Sequence, residues 1–161
     1  MARRPARPHA FGRGRSLKRR RLIRPLFERD RPDVGRLSHG VVTLLWRVVP
    51  REALGRDVPF QAGFFPGRRA RTNAGRTRLR RLLRETFRRH QGALAERFEA
   101  GPDALTLVVL FRGAECTASA DLRRDLPAAL ARLSRRLARD PDTDSPPGPP
   151  EPDAPPTAPP S

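Results

Sequence analysis

The chain has 161 residues, enough for one folded domain but not comfortably for two. Its 34 Lys plus Arg against 17 Asp plus Glu leave a net charge of +17. That excess repels itself in a free monomer, is relieved by a polyanion, and so points to a nucleic-acid binder. A single cysteine, Cys116, excludes an intrachain disulfide and makes a reducing compartment the default. No apolar run approaches the roughly 20 residues of a membrane span. The N-terminus lacks the apolar stretch of a signal peptide, so a cytoplasmic protein is expected.

Residues 1–15 (MARRPARPHAFGRGR) carry five Arg among Pro and Gly and read as a disordered basic arm. The folded domain is expected over 16–139. Ser16 is placed to N-cap a helix over 17–29, with Leu22, Ile23, Leu26 and Phe27 at helical spacing and Pro25 kinking or shortening it. The apolar, β-branched run 41–49, ended by Pro50, predicts a strand, with Trp46 in its core. The aromatic segment 58–65, closed by Pro66-Gly67, predicts another.

A long helix follows from Arg76 to about Phe98, its stripe Leu79, Leu82, Leu83, Phe87, Leu94 and Phe98 close to a 3.6 period. Residues 105–111 are apolar on both faces, as in a covered central strand. A last helix over 119–138 carries Leu122, Leu126, Leu130, Leu133 and Leu137, with Ser119 as N-cap and Pro127 as an awkward interior residue. Residues 140–161 hold ten of the 19 prolines, five acids and no basic residue. They predict a disordered acidic segment, a solubilising spacer or a transient cover for the basic surface. Without those five acids, residues 1–139 stand at +22.

The order of elements is α-β-β-β-α-β-α, with three of its strands located. This is an α+β (α/β) sandwich: a small sheet packed by helices, with a βαβ crossover carrying the Arg-rich helix. That helix opens with RTRLRRLLRETFRR, residues 76–89, seven Arg and one Glu in 14 residues. With the leucines turned inward, Arg80, Arg84 and Arg88 share an outward ridge, and Arg76, Arg78 and Arg81 fan out at the helix start. Like charges at this spacing repel along the helix unless a polyanion neutralises them. Helix-start N–H groups add a phosphate-binding feature.

RTRLRRLLRE, residues 76–85, resembles the signature of the ribonuclease P protein family, with Thr77 where the family has Asn. Arg68-Arg69 stand where the family has a basic pair, AGFF (62–65) resembles its preceding strand, and Ile23 and Phe27 match two large apolar residues of its first helix. The resemblance covers about residues 16–138. It implies that the signature helix lies in a left-handed crossover between parallel strands, against the usual rule. It implies that Arg68, Arg69, Arg76, Thr77, Arg78, Arg80, Arg81, Arg84 and Arg88 face ribonuclease P RNA. A separate cleft, lined by Ile23, Phe27, Phe60 and Phe64, would take the single-stranded 5′ leader of precursor tRNA by stacking and phosphate contact.

No catalytic constellation is visible. His9, His39 and His90 are far apart, Cys116 is alone, and there is no zinc spacing, P-loop, dinucleotide fingerprint or carboxylate set for two-metal chemistry. The resemblance implies that the RNA subunit hydrolyses the phosphodiester with Mg²⁺ that it mainly binds itself, the protein acting as a non-catalytic subunit. No membrane and no protein partner is implied. A structural RNA-binding protein of ribosomal type shares the composition but not the signature. A DNA-binding regulator would show Asn, Gln or Ser among the helix arginines for base readout.

Overall fold

The computed structural model describes residues 13–139. Most of the expected basic arm and the whole acidic segment 140–161 lie outside the described residues.

Ser16 caps no helix. It bridges Ala62 of the sheet, and the Leu17 N–H donates to the Ala62 carbonyl at 3.0 Å. The expected helix over 17–29 shrinks to one turn, α1 (Arg20–Ile23), which tightens into a 3-10 turn over Arg24–Phe27. Pro25 explains the change. It has no N–H for an α-helical bond, and it sits in the first turn of the 3-10 segment, where no donor is needed.

Four strands follow in the chain: β1 (Gly35–His39), β2 (Val42–Pro50), β3 (Phe60–Phe65) and β4 (Asp103–Phe111). β1 is the strand that sequence patterning did not locate. The sheet order is β1-β2-β4-β3, with β1–β2 and β2–β4 antiparallel and β3–β4 parallel. Gly35 pairs with Trp46, and a side chain at Gly35 would fall 2.2 Å from the indole ring.

The parallel pair β3–β4 needs a crossover. It is made by α2 (Asn73–His90) and α3 (Gly92–Glu99). The expected single helix from Arg76 therefore begins three residues earlier and breaks at Gln91. Thr72 caps it, its hydroxyl accepting from the Gly75 N–H at 3.0 Å. The break falls beside Gly92, whose low helix propensity weakens the turn. The last helix, α4 (Ala118–Arg139), takes Ser119 into its first turn rather than as a cap, and runs through Pro127.

Alternation divides the core in two. Leu44, Trp46, Phe60, Leu105, Leu107 and Val109 face α2, α3 and α4, against Leu83, Phe87, Leu94, Leu126 and Leu133. Leu45, Val49, Ala104 and Val108 face the other way, against Leu17, Leu22, Leu26 and Leu54. The first face has long helices over it; the second has only short turns.

Asp125 is a buried acid that ties α4 to the β1–β2 turn. Its carboxylate accepts from Arg124 at 2.7 Å and from the Val41 N–H at 3.0 Å. These hydrogen bonds, that of Arg124 first, hold its pKa below the ordinary carboxylate value. A depressed carboxylate stabilises the fold above its unfolded-state pKa and loses that contribution as pH falls through the folded one. Asp125→Ala is expected to lower the unfolding free energy by about 2 kcal/mol at neutral pH, mainly by orphaning the Val41 amide. In urea titrations the gap to wild type should hold at neutral pH and narrow in the acid range, as the part carried by the ionised carboxylate is lost.

Candidate nucleic-acid interface

The 3.6-residue period of α2 sets its two faces. Leu79, Leu83 and Phe87 are buried, which leaves Arg76, Thr77, Arg78, Arg80, Arg81 and Arg84 exposed. The arginines are not equivalent. Arg76 Nε donates to the Ala70 carbonyl at 3.0 Å and so pins the preceding loop to the helix start. Arg88 is half-buried and pairs with Glu85 at 2.6 Å, and Arg89 reaches the same carboxylate at 3.3 Å. The Arg88 hydrogen bond, with help from Arg89, draws Glu85 down to about 2, so it stays ionised. Arg78, Arg80 and Arg81 have no carboxylate within ion-pair distance among the described residues. The open charge of the helix is concentrated in its first half, ahead of Glu85.

A cleft of about 730 Å³ opens on the thinly covered face of the sheet. Leu26, Val34, Leu45 and Leu110 make its floor. Phe27 stands in its wall, 46% exposed, the one exposed large hydrophobic side chain among the described residues. Phe65 supports it edge-on at 5.6 Å between ring centroids. Arg29, Arg36, Arg68 and Arg112 edge the opening from four separate segments. An aromatic face within a ring of guanidinium groups can stack a base and hold the neighbouring phosphates.

Phe60 and Phe64 do not line this cleft. Both point to the helix face of the sheet, where each packs edge-to-face on Phe87, at 5.7 and 5.4 Å. They share strand parity with Ala62, a buried residue of the helix-side core. The cleft side belongs to the opposite parity, where Phe65 packs behind Phe27. Ile23 is half-buried in the cluster beneath the cleft and is not part of its wall.

Arg68 and Arg69 separate from the helix ridge. Gly67, at φ +77°, turns the chain past the end of β4, where a side chain at its position would meet the Phe111 carbonyl at 2.3 Å. Arg68 then lines the cleft, and both arginines line an adjoining concavity of about 450 Å³. Arg29, Arg36, Arg112 and Phe65 escaped the sequence reading. The arginines lie on unconnected elements with no shared spacing; only Phe65 carried a local signal, its odd position in the strand.

A family model described as Ribonuclease P matches residues 11–134. The chain belongs to the ribonuclease P family. It is thus part of a ribonuclease P enzyme complex, with a subunit role in tRNA processing. No curated protein matches it in sequence. Among solved structures, the Staphylococcus aureus RNase P protein is similar at 12% identity and a TM-score of 0.54, over 74% of this chain and 94% of that one. At that identity the likeness concerns the fold, which is the mixed α+β arrangement expected. Among the described residues no three His, Cys, Asp or Glu gather in a set that could hold a metal ion.

Because Arg78, Arg80 and Arg81 are exposed and unpaired, the fold does not depend on them. Replacing all three by Ala is expected to leave the melting temperature within a few degrees of wild type, since surface changes of this kind stay within about 0.5 kcal/mol each. A thermal unfolding scan checks this.

Proposed function

We propose that this chain is the RNA-binding, non-catalytic subunit of ribonuclease P, working from two separate surfaces. The start of α2, with Arg76, Thr77, Arg78, Arg80, Arg81 and Arg84, grips ribonuclease P RNA. Arg88 adds charge from the next turns. The Phe27 cleft, edged by Arg68, takes the single-stranded 5′ leader of precursor tRNA, with Arg69 in the adjoining concavity. The RNA subunit hydrolyses the phosphodiester with Mg²⁺ that it binds itself, and the protein screens RNA–RNA repulsion and positions the leader. The setting is cytoplasmic, and no helix among the described residues is long and apolar enough to cross a membrane. In this reading residues 1–15 are a basic arm, 16–139 the RNA-binding domain and 140–161 an acidic spacer.

One observation carries the reading: an exposed aromatic ring in an arginine-edged cleft, on the sheet face opposite the arginine helix. A merely structural RNA binder needs the ridge. It has no use for an unburied phenylalanine held edge-on by a second ring, at a site with room for a base.

Adding the purified protein to a bacterial ribonuclease P RNA at low Mg²⁺ is expected to rescue cleavage of precursor tRNA, and rescue should fall steeply with salt as counterions return. Protein that cleaves alone, or ignores that RNA, overturns the proposal. Phe27→Ala should weaken binding of leader-bearing precursor by about 1–3 kcal/mol, the value of one base–aromatic stack, and leave mature tRNA unaffected. Equal loss for both would remove the cleft assignment.

A further inference from the structure

The arginine surface does not stop at the cleft. Arg36, which edges the cleft from β1, also lines a second concavity of about 650 Å³. Its other wall is the C-terminal half of α4, where Arg132, Arg135, Arg136 and Arg139 follow one another at helical spacing on one side. Among the described residues none of these five arginines has a carboxylate within ion-pair distance. Two are held in place by neutral contacts. Arg136 donates to the Arg36 carbonyl at 3.2 Å and lies 5.3 Å over the Trp46 ring, and Arg132 meets His39 Nδ1 at 3.2 Å. Arg36, Arg135 and Arg139 are exposed.

The helix dipole accounts for part of this, since cations in a last turn are favourable. It does not account for Arg132, two turns before the end, or for Arg36 on a different element. The spatial order is more telling. Arg68 and Arg112 belong to both the Gly67 concavity and the Phe27 cleft, and Arg36 to both the cleft and the α4 pocket. Three basic hollows therefore join in series, from the end of β3 across the sheet to its free edge at β1.

We infer that the α4 pocket continues the leader cleft round that edge, so that single-stranded RNA leaving Phe27 passes Arg36 and lays its next phosphates against α4. The inference rests on the leader reading above and extends its length. The pocket holds guanidinium groups, Ser38 and little apolar surface, with no aromatic face in its lining. It therefore suits the sugar–phosphate backbone and not the bases, and should be indifferent to sequence. A protein partner would call for an apolar centre within a polar rim, which the lining does not offer.

The test uses the protein assembled with ribonuclease P RNA, and precursor tRNAs whose leaders grow one nucleotide at a time. Wild type should gain affinity in two stages, first as the leader reaches Phe27 and again as it passes Arg36. The triple variant Arg132→Ala, Arg135→Ala, Arg139→Ala should keep the first gain and lose the second. Its binding of the longest leaders should be about tenfold weaker, as a few lost phosphate contacts would give, with mature tRNA bound as in wild type. Neutral methylphosphonate linkages at the distal positions should cost wild type the same factor and the triple variant nothing. Unchanged long-leader affinity, loss shared with mature tRNA, or independent additive losses would each overturn the inference while leaving the cleft intact. No leader dependence in wild type would overturn the cleft reading, and this one with it.

Discussion

Burial of β4 on both faces governs the rest of the molecule. It runs between antiparallel β2 and parallel β3, and its side chains alternate between two separate clusters. A strand apolar on both sides needs cover on both. On one side α2, α3 and α4 bury Phe60, Phe87 and Trp46 completely. On the other, α1 and short turns cover less of the sheet, which leaves Phe27 standing in an open cleft. The parallel pairing with β3 also requires a crossover, and the arginine helix is that crossover. Its ridge and the cleft are therefore set on opposite sides of one sheet.

Several carboxylates of the domain hold arginines in place. Asp33 accepts from Arg31 at 2.9 Å and is also paired with Arg47, and these contacts hold its carboxyl down to about 2. Asp125 joins α4 to the β1–β2 turn, and Glu85 gathers Arg88 and Arg89. Arg51 serves the framework without an acid at its main contact, donating to the Phe98 and Glu99 carbonyls. Among the described residues, arginines without an ion pair include those at the start of α2, round the cleft and along the end of α4. Positive charge is thus divided between internal ties and surfaces that await a polyanion, and salt should weaken the second kind far more than the first.

Local chemistry was legible where the chain itself supplies the constraint. The stripe of α2, the bilateral burial of β4, the heptad-like leucines of α4 and the strand containing Trp46 all follow from period and residue type. Pro25, inside the first apolar stretch, shortens its helix. Boundaries moved where a cap or a weak helix former, and not the apolar stripe, ends the helix. Thr72 starts α2 earlier than its apolar stripe begins, and β1 was missed because GRLSH offers one buried apolar side chain, Leu37, between polar neighbours.

The amino-acid sequence by itself determined the family signature, the excess of positive charge, the inward and outward faces of each helix, and the alternation within each strand. The first two follow from composition and residue order; the faces and the alternation are set within a few residues by backbone geometry. It did not determine which strand parity meets the helices. That choice moved Phe60 and Phe64 into the core and put Phe65 behind Phe27 on the cleft side, because a period of two defines two faces without naming either. Nor did it bring Arg29, Arg36, Arg68 and Arg112 around one cleft. Those residues come from four separate segments, and only the packing of the sheet against its two unequal covers sets them side by side.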